Sequence, residues 1–152
     1  MFLTKSGLIM ALRAFKERVL QGICYQLGVL VLAAPLFAAL FGATVGETAQ
    51  MIIAVALAET LWSPLHNLGF DWVEWRQSHR SASDRSMKMR MVHAVSHEIS
   101  SILVTTPVIM LVSGHGLITA LIIDLGLTAF CTLYVFVFHL AYDRVRPVMV
   151  AA

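Results

Sequence analysis

Four apolar stretches, at 19–41, 49–72, 91–112 and 117–142, constrain this chain more than any other feature. Each reaches or exceeds the roughly 20 residues a helix needs to cross a bilayer. A soluble domain has no interior that takes four such runs, and the composition agrees: 59% of residues are hydrophobic and 13% charged, with a mean hydropathy of +0.79. Backbone amides in hydrocarbon must be paired within their own segment, so all four stretches are predicted as helices. The fold class is an all-α integral membrane protein with four transmembrane helices.

All eleven Lys and Arg residues fall outside those stretches, at 5–18, at 76–90, and at Arg144 and Arg146. The short turns at 42–47 and 113–116 carry none. By the positive-inside rule both termini and the central loop are expected in the cytoplasm, with the two turns outside. The net charge of +2 and pI of 8.7 are therefore topology signals, and no nucleic-acid partner is expected. No Gly-rich phosphate loop is present, which argues against direct ATP coupling. Cys24 and Cys131 lie inside predicted spans and read as small apolar packing residues. The N-terminal segment 1–17 has no small-residue cleavage site and runs into a full-length span, so it reads as an interfacial helix.

Sliding the chain by 72 residues sets Arg18 on Arg90, Pro35 on Pro107, Gly42 on Gly114 and Asp71 on Asp143. The same register sets Tyr25 on His97, Gln26 on Glu98, Trp62 on Tyr134, Asn67 on His139 and Phe70 on Tyr142. Each unit holds two spans, so the units share one orientation and an axis along the membrane normal. The expected organisation is two parallel tandem-repeat helical hairpins: an interfacial segment 1–17, a first pair 18–75, a basic cytoplasmic loop 76–89 and a second pair 90–147.

On a helix with a rise of about 1.5 Å per residue, Glu98 lies roughly 12 Å inside Arg90, within hydrocarbon. An ionisable group there costs on the order of 2.5–3.5 kcal/mol, so its default reading is functional and directed into the bundle; the alternative is a neutral carboxyl hydrogen-bonded to a neighbouring helix. His93 and His97, four apart, have the spacing of a metal-chelating pair. Their counterparts Gln21 and Tyr25 are not usual zinc ligands and no third ligand stands at motif spacing, so no metal and no cofactor is expected. In the second span Glu59, Trp62, His66 and Phe70 share a stripe, with Asn67 beside it. Counting from Asp71, Trp62 lies about 13 Å and Glu59 about 18 Å deep, level with Gln26 and Glu98. A buried carboxylate near an aromatic ring suits a lipophilic cation; Trp62 and Tyr134 read equally as interfacial belt residues.

Asp71 and Asp143 are expected to pair with Arg18 and Arg90 at the cytoplasmic face, as ties between hairpin ends or as a gate. Asp124 either lines an exit path or reaches the outer interface. Pro35 and Pro107 predict matched kinks, fixed or moving. Gly28, Ala33 and Ala34 offer a close-packing face for a homodimer.

These residues resemble the proteobacterial antimicrobial compound efflux family, built of two tandem bacterial transmembrane pair units. The third span reads RMVHAVSHE, Arg90 to Glu98, matching the family's Arg-x-x-His-Ala-x-x-aromatic-Glu opening except that His97 replaces the aromatic. The first reads RVLQGICYQ, keeping Arg18 and Tyr25; WSPLHNLGFD keeps Trp62, Asn67, Phe70 and Asp71, and YVFVFHLAYD keeps Tyr134, Tyr142 and Asp143, with His139 at an Asn position. The resemblance implies a bacterial inner-membrane antiporter that expels lipophilic cationic biocides such as chlorhexidine and dyes, with polyamines as a physiological class, in exchange for protons. It implies substrate contacts at Tyr25, Gln26, Trp62, Asn67, His97, Tyr134 and His139, and proton coupling at Glu98 with Glu59. Gln26 stands where the family carries a glutamate linked to coupling. Glutamine is nearly isosteric with protonated glutamate but has no proton to release; either coupling passes to Glu98, or the chain binds ligand and transports poorly. Two rival classes are a non-transporting membrane scaffold and a metal-dependent enzyme using His93, His97 and Glu98; neither explains why the aromatic and polar positions recur in both units.

Overall fold

In the computed structural model the described residues are 15–78 and 85–146, and they form four helices: α1 (Phe15–Phe41), α2 (Val45–Ser78), α3 (Met87–Ser113) and α4 (Leu117–Val145). All four are long and apolar enough to cross a membrane. The register read from the sequence recurs in the backbone: α1 and α3 end 72 residues apart, and α2 and α4 begin 72 residues apart. Of the interfacial segment 1–17, residues 1–14 lie outside the described residues, as do 79–84 of the basic loop. α2 and α3 outrun their apolar stretches and take in much of 76–89, because a helix projecting from hydrocarbon keeps its internal hydrogen bonds while its charged side chains reach water.

Both hairpins turn the same way. α1 and α3 end on Gly42 and Gly114, at φ +70° and +71°, a left-handed conformation that only glycine adopts at little cost. In the first turn, Thr44 and Glu47 form a capping box: the Thr44 amide donates to the Glu47 carboxylate (2.9 Å) and the Glu47 amide to Thr44 Oγ1 (3.2 Å). The second hairpin starts α4 on Gly116 without a side-chain cap. α1 and α3 run unbroken through Pro35 and Pro107.

The helices close into a ring in the order α1, α2, α3, α4. Within each hairpin the packing is alike, but the α2–α3 seam is the most extensive and the α4–α1 seam the thinnest. Toward the hairpin turns Ala33, Ala34, Phe37, Met51, Ile52, Ile109, Ala120, Ile123 and Leu127 are buried against one another, and a smaller cavity of about 260 Å³ opens beyond them between the two turns. Ala33 and Ala34 thus pack inside this bundle, and a Cβ at Gly28 would run into the Tyr134 hydroxyl. These small residues serve close approach within the chain, and they offer no outer dimer face. Outside, Leu61, Leu65, Leu68, Leu111, Ile118 and Leu133 are exposed, as side chains facing acyl chains should be.

Candidate functional site

A cavity of about 380 Å³ lies on the side of this apolar core away from the hairpin turns. Its walls follow the repeat. α1 and α3 contribute Tyr25 with His97, Gln26 with Glu98, and Val29 with Ser101; α2 and α4 contribute Ile52 with Asp124, Val55 with Leu127, Ala56 with Thr128, Glu59 with Cys131, and Thr60 with Thr132. Thr105 is the one lining residue whose counterpart, Ala33, is buried in the core instead. A cavity lined by both members of eight repeat-related pairs sits on the axis that relates the two hairpins.

The pairs match in place and differ in charge. Glu98 faces the cavity from α3 and Gln26 from α1; Asp124 answers Ile52, and Glu59 answers Cys131. Three acids thus meet in one cavity with no Lys or Arg in its lining. Two are held. The Ser101 hydroxyl donates to Glu59, and Asp124, 3% exposed, accepts from Thr105 Oγ1 at 2.7 Å and Thr106 Oγ1 at 2.6 Å. The third, Glu98, has no hydrogen-bond partner among the described residues and is left open to the cavity. Asp124 therefore lines the cavity and does not reach the outer interface, because the paired threonines one turn beyond Ser101 draw it inward.

Of the residues expected at the site, the cavity gathers Tyr25, Gln26, His97, Glu59 and Glu98. Trp62 and Asn67 face the α2–α3 seam: Trp62 Nε1 donates to Ser100 Oγ (3.1 Å) and Asn67 Oδ1 meets His93 Nε2 (3.0 Å). Tyr134 lies in the α4–α1 seam beside Tyr25, ring centroids 5.3 Å apart. His139 is exposed, with Nδ1 2.8 Å from the Val135 carbonyl. Sequence reasoning sets Ser101 and Thr105 on the helical stripe of Glu98 but gives them no role, and it missed Thr106 and the buried role of Asp124; the run of hydroxyls at 100, 101, 105 and 106 on one helix was the available signal.

At the end bearing the termini, Asp71 pairs with Arg85 (2.5 Å) and not with Arg18. Arg85 also holds Glu74, through Nε at 2.7 Å, and these carboxylates keep its guanidinium firmly charged. Arg90 donates to the Arg85 carbonyl at 3.2 Å. Across the other seam Arg146 pairs with Glu17 at 2.9 Å. The ties between hairpin ends exist, but partly with other cations, because Arg85, just before α3, stands against the end of α2 and takes both Asp71 and Glu74.

Two like hairpins, each of two helices long enough to cross a membrane, thus enclose an acidic cavity, the architecture of a small membrane transporter. The family model described as chlorhexidine efflux transporter matches the chain twice, over residues 13–76 and 85–148, again 72 residues apart, and the chain belongs to that family. It is similar to proteins described as short-chain diamines transporters. The one from Vibrio parahaemolyticus is 30% identical over 86% of this chain and 91% of its own length; the one from Acinetobacter baylyi is 27% identical over 86% and 90%. A third, from Acinetobacter baumannii, is 28% identical over 86% and 88%. No solved structure matches the chain. The protein is a multi-pass membrane transporter.

Proposed function

We propose that the protein exports small organic cations across the bacterial inner membrane in exchange for protons, with both termini in the cytoplasm. The observation that carries this reading is the acidic cavity on the repeat axis, in which Glu98 alone among three acids has no hydrogen-bonding partner among the described residues. A carboxylate cannot hold a proton and a cation together, so competition at Glu98 supplies the exchange. Deprotonation on the cytoplasmic side loads a cation; protonation from outside releases it. The packed core between cavity and hairpin turns closes the outer side in this conformation, and the basic ends support the reading of termini inside.

Substrates in this reading range from lipophilic biocides, such as chlorhexidine and cationic dyes, to short diamines. Glu59 is held at Ser101 and Asp124 at Thr105 and Thr106, which spaces the two acids by about 6–7.5 Å along α3. That is comparable with the separation of the two ammonium groups in a four- or five-carbon diamine, and a short diamine fits the cavity as it stands, within the range typical of small-molecule sites. Gln26 keeps the shape of a protonated carboxyl on the opposite wall and leaves the coupling proton to Glu98.

The test is reconstitution in liposomes with an imposed pH gradient, following ethidium. The protein should move the dye, and Glu98→Gln should reduce movement to that of empty liposomes. Binding without movement in the parent chain would locate the fault at Gln26 and make Gln26→Glu the next variant; absence of binding would sink the transport reading in favour of a scaffold.

A further inference from the structure

The histidine and serine side chains of the α2–α3 seam are not repeated in its counterpart. Between α2 and α3, His66 Nε2 lies 3.3 Å from Ser96 Oγ and its Nδ1 2.9 Å from Ser100 Oγ, so both ring nitrogens meet hydroxyls on successive turns of α3. The His66 ring is 5.4 Å from that of His93, nearer the terminal end, and 5.0 Å from that of His97, in the cavity wall. His97 Nε2 in turn meets Ser63 Oγ at 3.2 Å. Moved by one repeat, His66 becomes Phe138, His97 becomes Tyr25, Ser96 becomes Cys24, Ser100 becomes Gly28 and Ser63 becomes Val135. There Tyr25 and Phe138 pack edge to face at 5.5 Å. The helix positions are the same, but among the described residues the other seam joins Tyr25 to Cys131 without an imidazole between two hydroxyls.

We infer that the α2–α3 seam is a proton path, in which His66 relays protons between His93 at the terminal end and His97 at the cavity. This rests on the proton-coupled reading above. The hydroxyls distinguish a relay from packing. Ser96 and Ser100 each have one hydrogen, and each oxygen also lies 2.9 Å from a backbone carbonyl, of His93 and His97 respectively. With both hydrogens on those carbonyls, both hydroxyl oxygens accept, which suits a His66 ring carrying two N–H groups. When one hydroxyl turns toward the ring, that nitrogen becomes an acceptor, which suits the neutral ring. His66 is therefore fully hydrogen-bonded in either protonation state. A proton taken on one nitrogen is matched by the release of the proton from the other, which leaves the ring in its other tautomer with the roles of the two hydroxyls reversed; reorientation of the ring restores the first tautomer before the next proton.

The titratable groups facing His66 are His93 and His97. His93 lies within reach of Arg85, Asp71 and Glu74 at the end of the bundle. His97 lies within reach of Glu59, which in turn faces Glu98 and Asp124. The path thus begins at a charged surface cluster and ends among the cavity acids.

Two assays on one liposome preparation separate relay from packing: ethidium movement driven by a pH gradient, and ethidium-for-ethidium exchange at equal pH, which needs no proton. His66→Gln is the decisive variant, because an amide can hold both serine hydroxyls but cannot carry a proton between them. It should slow gradient-driven movement by about a hundredfold, the lower end of what loss of a positioned proton carrier costs, while exchange stays at the parent rate. His66→Phe, which copies the other seam, should behave alike if it folds. Gradient-driven movement at the parent rate in His66→Gln would overturn the relay, and so would equal loss of both assays in a folded variant. If the parent chain exchanges cations but ignores the gradient, proton coupling itself fails, and the relay with it.

Discussion

The two interhelical seams, α2–α3 and α4–α1, occupy equivalent places in a repeated architecture and are built from different chemistry. One is tight and hydrogen-bonded, with Trp62 on Ser100, His66 on Ser96 and Ser100, and Asn67 on His93. The other is thin and aromatic, with Tyr25, Phe130, Tyr134 and Phe138 stacked or edge-on within about 6 Å of one another. Even the ionic ties reverse sign: an acid, Glu74, stands four residues before the end of α2, and a base, Arg146, stands at the same repeat position just after α4. Backbone symmetry therefore sets where a group can stand, while chemistry is assigned to each half separately. Polar contacts between membrane helices are modest individually, roughly 0.6 kcal/mol each. Their concentration in one seam speaks for a role beyond adhesion.

The difference can be broken by moving the acid. In the double variant Gln26→Glu with Glu98→Gln the cavity keeps its charge, but the titrating carboxyl now stands on α1. Ethidium binding should persist and gradient-driven movement should fall to background; recovery of movement would make the two seams equivalent. The end ties offer a smaller contrast. Arg85→Ala removes hydrogen bonds to the nearly buried Glu74 and to Asp71, and should cost about 1.5–3 kcal/mol of stability, read as a lower melting temperature in detergent. Arg146→Ala, at a side chain half open to solvent, should leave that temperature unchanged. Smallest of all, Trp62→Phe deletes one interhelical hydrogen bond to Ser100 and should lower stability by about 0.6 kcal/mol; a drop several times larger would mean that the indole organises the whole polar seam.

Much of this was legible in the letters. Four apolar runs fixed four helices, and matches such as Pro35 with Pro107 and Gly42 with Gly114 fixed a register that the helix bounds at both turns reproduce. Depth counting brought Glu59 and Glu98 to one level, where they share a cavity. What the letters withheld was rotation about each helix axis and the unequal seams. Trp62 lies three residues beyond Glu59, which turns it from the axis to the seam with α3. Asp124 pointed to no partner by its own spacing; the hydroxyls that hold it belong to another helix. Asp71 finds Arg85 because Arg85 stands two residues before α3, in the basic loop, at the end of the tight α2–α3 seam.

Both hairpins turn at a left-handed glycine, Gly42 or Gly114, and stand in the bilayer the same way up, joined only through the segment at 79–84. A chain severed there would yield two half-proteins of one shape that need each other. Two copies of the first would face a pair of glutamines across the axis, and two copies of the second a pair of glutamates. Fusion removes that compulsion to be identical. In a pair of identical hairpins every substitution is imposed on both seams at once; joined head to tail, one half can evolve as the conductor and the other as the insulator.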